Sequence, residues 1–453
     1  MSKLGKLETL VHEVDVAVIG GGMAGLCAAL AAARHGARTA LIHDRPVLGG
    51  AASSESRVHI CGADRCGEFP ELRETGLLEE LRLENLRRNP FDNYSLWDSV
   101  LYEKARFQDN LSLFLNTTCL DAEMAAPNRI ASVTAWQLTT QTFHRIRARI
   151  FIDCSGDAIL APLTGAGSRV GREARSEFSE SLAPEHANSN TMGMTCLFGV
   201  TDTGQPQAFE PPACAYDFPS EEDIPYPPGL NGGHGLRLHR VGIWWIELGG
   251  DGDCIRDAEA VRDELYRVVW GVWDHIKNHC ANREAYRNHV LDWIQFLPTK
   301  RESRRYEALH MLTQNDIEAG GPFEDVVAYG GWTMDDHHSG GFHCPAFKRQ
   351  ATVFHPAPTP YGIPFRSLCA RDLRNLMFAG RCAGYTHMAL SSARVMGTCA
   401  LTGQAAVPAA CPVREQVAMT RAELRAMCVY PAQRPAKIRL RKSREHNERK
   451  GMP

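Results

Sequence analysis

The chain has 453 residues, 44% of them apolar, with a formal net charge of −3. That is material for roughly two or three domains around a sizeable core, and the charge balance argues against a general nucleic-acid binder. No run of about 18 apolar residues occurs and the opening "MSKLGKLETLVHE" lacks the apolar stretch of a secretion signal, so a cytoplasmic protein with no membrane partner is expected.

The first informative stretch is "VDVAVIGGGMAGLCAALAAARHGARTALIHDRP", residues 14–46. Residues 14–19 are apolar except for Asp15, as in a parallel strand buried on both faces, and a glycine turn follows at once. The Ala- and Leu-rich segment 26–34 reads as a helix, so Gly20, Gly22 and Gly25 fall in G-x-G-x-x-G register, with Met23 and Ala24 between them. In such a unit the first glycine allows the tight turn and the second lets backbone approach a pyrophosphate. The third lets helix and strand pack closely, with the helix N-terminus aimed at the phosphates. A second strand is predicted over 39–42. His43 stands where a ribose-binding carboxylate is usual, which leaves Asp44 as the candidate for that contact.

Further along, 45–56 is loop-like, while 72–86 and 97–107 read as helices. "LSLFLNTTCLDAEM", "RIASVTAWQL" and "TFHRIRARIFIDCSGD" predict three or four strands, the last ending in an acidic turn that runs from Asp153 to Asp157. From Gly165 to about Pro360 lies a mixed region with proline-rich loops, an aromatic strand "VGIWWIEL" and an amphipathic helix "DAEAVRDELYRVVWGVWDHIKNH". "GAGSRVG" (165–171) reads as a loop, because no buried strand runs into it and no clear helix follows. The chain therefore offers one dinucleotide fingerprint, not two. Fifteen cysteines are scattered without a C-x-x-C pair, which predicts reduced thiols. Cys61 and Cys66 in "CGADRC" lack two further ligands at suitable spacing, so no metal is expected.

The late stretch "YGIPFRSLCARDLRNLMFAGRCAGYTHMALSSARVMGTCALTGQAA" (361–406) predicts a short buried strand over 376–379 ended by Gly380, then a tightly packed small-residue helix over 395–406. Together with "DRPVLGG", "DCSGD", "RESRR" and "GGWTMDDH", it resembles the FAD-dependent oxidoreductase family, whose FAD-binding fold is of the glutathione-reductase type. The resemblance implies an α/β fold: a Rossmann-like FAD-binding domain with a parallel sheet and a small antiparallel layer, plus a mixed α+β substrate domain. The expected division is 12–165 for the first part of the FAD domain, 166–360 for the substrate or cap domain, 361–410 for the returning part and 411–453 for a basic, solvated tail. It also implies FAD held throughout turnover. Gly20, Gly22, Met23, Ala24 and Gly25 would face the pyrophosphate, and Asp44 and Arg45 the adenosine end. Gly49, Gly50, Ser53 and Ser54 would lie beside the flavin, with Asp157 after the "DCSGD" strand. Gly380, Arg381, Arg394, Val395 and Met396 would follow the ribityl chain and ring. Two departures stand out: Arg381 replaces the Asp that many relatives carry, and Pro408 and Pro412 are positioned to shorten the covering helix.

Oxidising an alcohol or amine with a flavin needs a C–H aimed at the ring and a base for the departing proton. His387 in "YTHMA" and His337 in "DDHHSGGFHC" are the candidate bases, with Arg57 and His59 near the flavin's front edge. "RESRR" offers Arg301 and Arg304 to grip a carboxylate, or a salt-bridged surface turn. Trp244 with Asp336 would suit a hydroxylated ring such as a sugar. Three functions stay open on the sequence. The first is hydride removal from a small organic substrate, with reoxidation by oxygen or a separate electron acceptor. The second is a flavin monooxygenase or halogenase, and the third a degenerate, non-catalytic flavoprotein.

Overall fold

A computed structural model describes residues 7–63, 72–224, 243–345 and 351–407. Its central element is a five-stranded, wholly parallel sheet in the order Leu376–Phe378, Ile150–Asp153, Val16–Ile19, Thr39–Ile42, Leu111–Phe114. Every residue of the three middle strands is buried, which is why they read as unbroken apolar runs and not as alternation. The outer strand on one side comes from the far end of the chain: Phe378 pairs with Asp153, itself the partner of Ile19.

The opening helix, Met23–Arg34, packs on this sheet, and the return helix, Met396–Ala405, packs on the opening helix. Small residues permit that approach. A Cβ on Gly25 would lie 1.8 Å from the carbonyl oxygen of Gly20, and a Cβ on Gly403 would lie 2.0 Å from that of Ala24. The return helix also completes its neighbour Leu77–Arg88, whose N-cap Gly76 has no side chain; Leu77 N–H donates to Gln404 Oε1 at 2.9 Å instead.

A four-stranded layer runs Thr9–Glu13, Thr142–Arg147, Arg129–Gln137, Thr117–Ala126, antiparallel except that Thr9–Glu13 lies parallel to Thr142–Arg147. The segment predicted as three or four strands thus forms five, of which the first and last join the parallel sheet. Helices form over Leu77–Arg88 and Tyr94–Arg106, the first starting five residues later than the apolar pattern implied, because Gly76 takes φ +68 just before it.

The mixed region is a set of small sheets around a second hydrophobic cluster that includes Trp245, Leu265, Val269 and Trp273. Two expectations there are corrected. "VGIWWIEL" is not one continuous strand: among its described residues, 243–248, only Glu247–Leu248 is extended, and the Trp244 and Trp245 pair sits in the turn before it. Within "GAGSRVG", Ser168–Arg169 is a short strand paired with Arg305–Tyr306. The predicted helix is found as Ala258–Asp274 and continues as a π-turn, His275–His279. Cys66, the prolines at 408 and 412, and the tail 411–453 lie outside the described residues. No helix among the described residues is long and apolar enough to cross a membrane.

Gly403→Ala should lower stability by roughly 1–3 kcal/mol through overpacking of the two helices. It should loosen the bound cofactor in parallel, read as a fall in melting temperature and in flavin retained after gel filtration.

Candidate active site

The glycine turn leaves backbone, not side chains, at the C-terminal edge of the parallel sheet. Gly22 caps the opening helix without any side-chain hydrogen bond, and no acidic residue occupies the first turn. That helix end is therefore electropositive and suited to an anion. Beside it, Gly49 N–H donates to Gly21 O at 2.9 Å, and Gly50 lies so close that a Cβ on it would come within 3.1 Å of the Gly22 Cα. His43 is fully buried behind the turn. Its Nδ1 accepts the Gly21 N–H at 2.9 Å and its Nε2 lies 3.0 Å from Val47 O, so the ring is neutral, and burial lowers its pKa. An imidazole thus anchors the loop where a carboxylate was expected, while Asp44 next to it is largely exposed.

At the end of Ile150–Asp153, Asp153 is buried and accepts from Ser155 N–H (2.8 Å), Leu160 N–H (2.9 Å) and Tyr306 O–H (2.6 Å); burial raises its pKa. Four residues on, Asp157 meets Lys300 Nζ (2.6 Å), Ser303 Oγ (2.7 Å) and Arg381 (2.9 Å). Burial opposes its charge, but Arg381 and Lys300 outweigh that and hold the carboxyl below its usual range. Arg381 is thus fixed by an ion pair across the edge of the sheet.

Deeper in, two imidazoles are each clamped between two carboxylates. The strand Met334–His337 alternates, so Asp335 and His337 share one face and Asp336 takes the other. On the first face His337 bonds Glu247 (2.7 Å) and Asp335 (3.2 Å), with Arg301 3.2 Å from Glu247 and Arg394 3.3 Å from Asp335. On the second, His387 bonds Glu302 through Nδ1 (2.8 Å) and Asp336 through Nε2 (3.0 Å), and Arg172 reaches Asp336 at 3.1 Å. The neighbours Arg301 and Glu302 in turn serve opposite faces. His387 is the first residue of the helix His387–Ala393; Thr386 Oγ1 caps that helix, and the His387 N–H donates to Glu173 at 2.8 Å.

Burial alone would push the His387 pKa down, yet Glu302 and Asp336 raise it to about 9. His337 is raised in the same way by Glu247 and Asp335. Asp336, despite burial, is held at about 2 by His387 and Arg172. Near neutral pH the His387 ring is therefore an imidazolium donating from both nitrogens, and the His337 ring is shifted in the same direction. Next to the second cluster lies a cavity of about 350 Å³ lined by Arg169, Gly171, Arg172, Glu173, Asn188 and Ser189, among others.

Residues 15–427 match the family model described as FAD dependent oxidoreductase. The chain belongs to that family. Its members bind FAD, and the cradle here fits: bare glycine backbone, an uncapped helix N-terminus and a second, tightly packed glycine pair form a bed that Cβ atoms would fill. No curated protein sequence matches the chain. Among solved structures it is similar to a geranylgeranyl bacteriochlorophyll reductase-like protein from Thermoplasma acidophilum (13% identity, covering 87% of this chain and 79% of that one, TM-score 0.34). It is also similar to adenylylsulfate reductase from Archaeoglobus fulgidus (11%, 92% and 73%, 0.33). L-proline dehydrogenase from P. horikoshii matches at 20% identity over 36% of this chain, TM-score 0.21; the chain spans about a quarter of that protein, 24%.

In this FAD-dependent oxidoreductase, the residues singled out from sequence fall into three groups. Gly20, Gly22, Met23, Ala24, Gly25, Gly49 and Gly50 come together at the turn, with Gly380 against Ala24. His337, His387, Arg301, Arg394 and Asp336 form the buried clusters, and Trp244 packs edge-on to His337 at 5.7 Å. The remainder are spent elsewhere. Arg45 pairs with Glu55 (2.6 Å), Ser53 Oγ donates to Gly50 O, and Ser54 N–H donates to Asp98. Arg304 donates to the carbonyls of Asp157 and Ala158, and Arg57 stacks on Trp293. His59 is exposed, 3.1 Å from Cys61 Sγ. The surface-turn reading of "RESRR" is corrected: Glu302 and Arg305 are fully buried, because Arg305 pairs with Glu173 (3.0 Å) and Glu302 with His387. Sequence reasoning missed Arg172, Glu173, Glu247 and Lys300, which sit in separate segments with no motif of their own.

Removing one member of such a buried cluster strands its partners. His387→Gln should cost roughly 3–5 kcal/mol at pH 7. Because the folded pKa of about 9 lies above the unfolded value of 6.5, this stabilisation is complete below pH 6.5 and lost as pH rises through 9. The gap between wild type and variant in denaturant melts should therefore narrow between those values.

Proposed function

We propose that this enzyme removes a hydride from a hydroxylated small molecule, a sugar-like ring being the best fit, with His387 as the proton acceptor and reoxidation by oxygen or a separate acceptor. The observation that carries the reading is the position of His387: it opens the helix between the return strand and the return helix, and it is linked through Asp336 to Arg172 on the cavity wall. FAD, when bound, supplies the two-electron acceptor for the hydride. Arg172 and Asn188 line the cavity as donors for substrate oxygens, and Trp244 offers an apolar face near His337. The proton of the substrate hydroxyl passes by way of Asp336, which bonds Arg172 on the cavity wall, to Nε2 of the deprotonated His387 ring, while Glu302 holds Nδ1 from the sealed side. The Glu247, Asp335, His337, Arg301 and Arg394 cluster brings two guanidinium groups and an imidazole together beside the site, donors that favour negative charge developing close by.

As base, His387 must lose its own proton first, so kcat/KM should climb with pH through about 9. Asp336→Asn removes one of the two carboxylates that raise the ring's pKa and should displace the climb to lower pH. Anaerobic mixing with a panel of sugars, polyols and hydroxy acids should bleach the flavin absorbance. Bleaching by NADPH with none from the panel would instead favour the monooxygenase reading.

A further inference from the structure

Away from both carboxylate-clamped clusters, Glu221, His275 and Cys280 bring a carboxylate oxygen, an imidazole nitrogen and a thiol sulfur within 4.8 Å of one another. They come from two places in the chain: the 3-10 turn Glu221–Asp223, and the π-turn His275–His279 that ends the helix Ala258–Asp274. Single π-turns within α-helices recur at functional sites. Here the widened turn directs the Cys280 N–H onto the His275 carbonyl at 2.7 Å, which folds the sulfur back towards the ring of His275.

All three side chains are oriented from behind by backbone. His275 Nδ1 lies 2.7 Å from Phe218 O and so carries the proton, which makes Nε2 the lone-pair nitrogen. Glu221 Oε1 accepts the Ala281 N–H at 2.9 Å, leaving Oε2 on the side of the imidazole, 3.5 Å from Nε2. Cys280 Sγ accepts the Asn282 N–H at 3.3 Å. An outer shell of this kind fixes tautomer, carboxylate rotamer and thiolate direction at metal centres. Ligand atoms around tetrahedral zinc, with bonds of about 2.0–2.3 Å, stand roughly 3.3–3.8 Å apart, so the Nε2 to Oε2 separation already matches.

We propose that Glu221, His275 and Cys280 form a zinc site with three protein ligands and a fourth position open to water beside Glu221. The mixed sulfur, nitrogen and oxygen set disfavours magnesium and calcium, which take oxygen ligands. His275 and Cys280 are buried, while Glu221 is half exposed and gives the ion a route in. Binding exchanges the Cys280 thiol proton for the metal and releases it to solvent, with no change of oxidation state. The ion would staple the Glu221–Asp223 turn to the end of the Ala258–Asp274 helix, and so brace the second hydrophobic cluster, to which Ile224 and Ile276 belong.

The test uses the full-length flavoprotein after chelator treatment and dialysis, titrated with Co²⁺ and then Zn²⁺. The expected result is one Co²⁺ per chain with the near-ultraviolet sulfur-to-cobalt charge-transfer band, displaced by Zn²⁺. Cys280→Ser should abolish the band, and Cys214→Ser, which removes an exposed thiol, should leave it. Glu221→Ala, at a half-exposed position where folding is not at stake, should weaken Co²⁺ binding at least tenfold. A folded protein that shows no band, a band that survives Cys280→Ser, or affinity unchanged in Glu221→Ala would each overturn the assignment.

Discussion

Two helices from opposite ends of the chain touch backbone to backbone, and the remaining architecture depends on that contact. Gly25 and Gly403 have no room for a methyl group, because carbonyl oxygens occupy the space where one would sit. Leu376–Phe378, which leads towards the second of these helices, completes the edge of the parallel sheet. The same seating places Gly380 against Ala24 and carries the short helix His387–Ala393 into the interior. Cofactor bed and charged interior therefore share this helix contact. Side chains contribute little to it, which is why small residues dominate both helices.

The buried ion clusters pose a harder energetic problem. Taking this many charges out of water is costly, and a buried pair often does no better than an apolar replacement. What the arrangement gains is definition. Each imidazole is held from both nitrogens, so its ring plane and protonation are set together, and each carboxylate that holds it is itself paired or bonded to backbone, as Glu302 is to the Met192 N–H at 2.9 Å. The strand Met334–His337 supplies acids to both faces by simple alternation. Two similar clusters consequently arise from one tripeptide, Asp335, Asp336 and His337, with help from adjacent Arg301 and Glu302.

The fold was legible where local chemistry decides structure. Apolar runs bounded by glycine announced the parallel strands, and G-x-G-x-x-G announced the turn. Legibility failed where structure is set at a distance. Trp244 and Trp245 look like strand residues by propensity, yet burial of Trp245 in the second cluster fixes a turn there. His43 reads as a lost ribose ligand, although its role in the fold is to hold the Gly21 amide. "RESRR" carries enough charge to look superficial; its burial is intelligible only once Glu173, Glu247 and His387, from three other segments, are beside it. Pairing across such separations leaves no trace in periodicity.

The two clamped histidines differ in what surrounds them, and the difference bears on which can exchange protons. His337 is enclosed by Glu247 and Asp335, whose further partners are Arg301, Arg394 and Thr352. His387 has one sealed partner, Glu302, and one partner that leads outward, since Asp336 bonds Arg172 and Arg172 lines the cavity. On the proposed reading a proton leaving His387 passes to Asp336, whose partner Arg172 lines the cavity, whereas the partners of Glu247 and Asp335 are not among that cavity's lining. On the proposed reading this asymmetry divides the labour between two chemically similar clusters. His337, held from both nitrogens, steadies the pocket, and His387 is the ring whose charge changes during turnover.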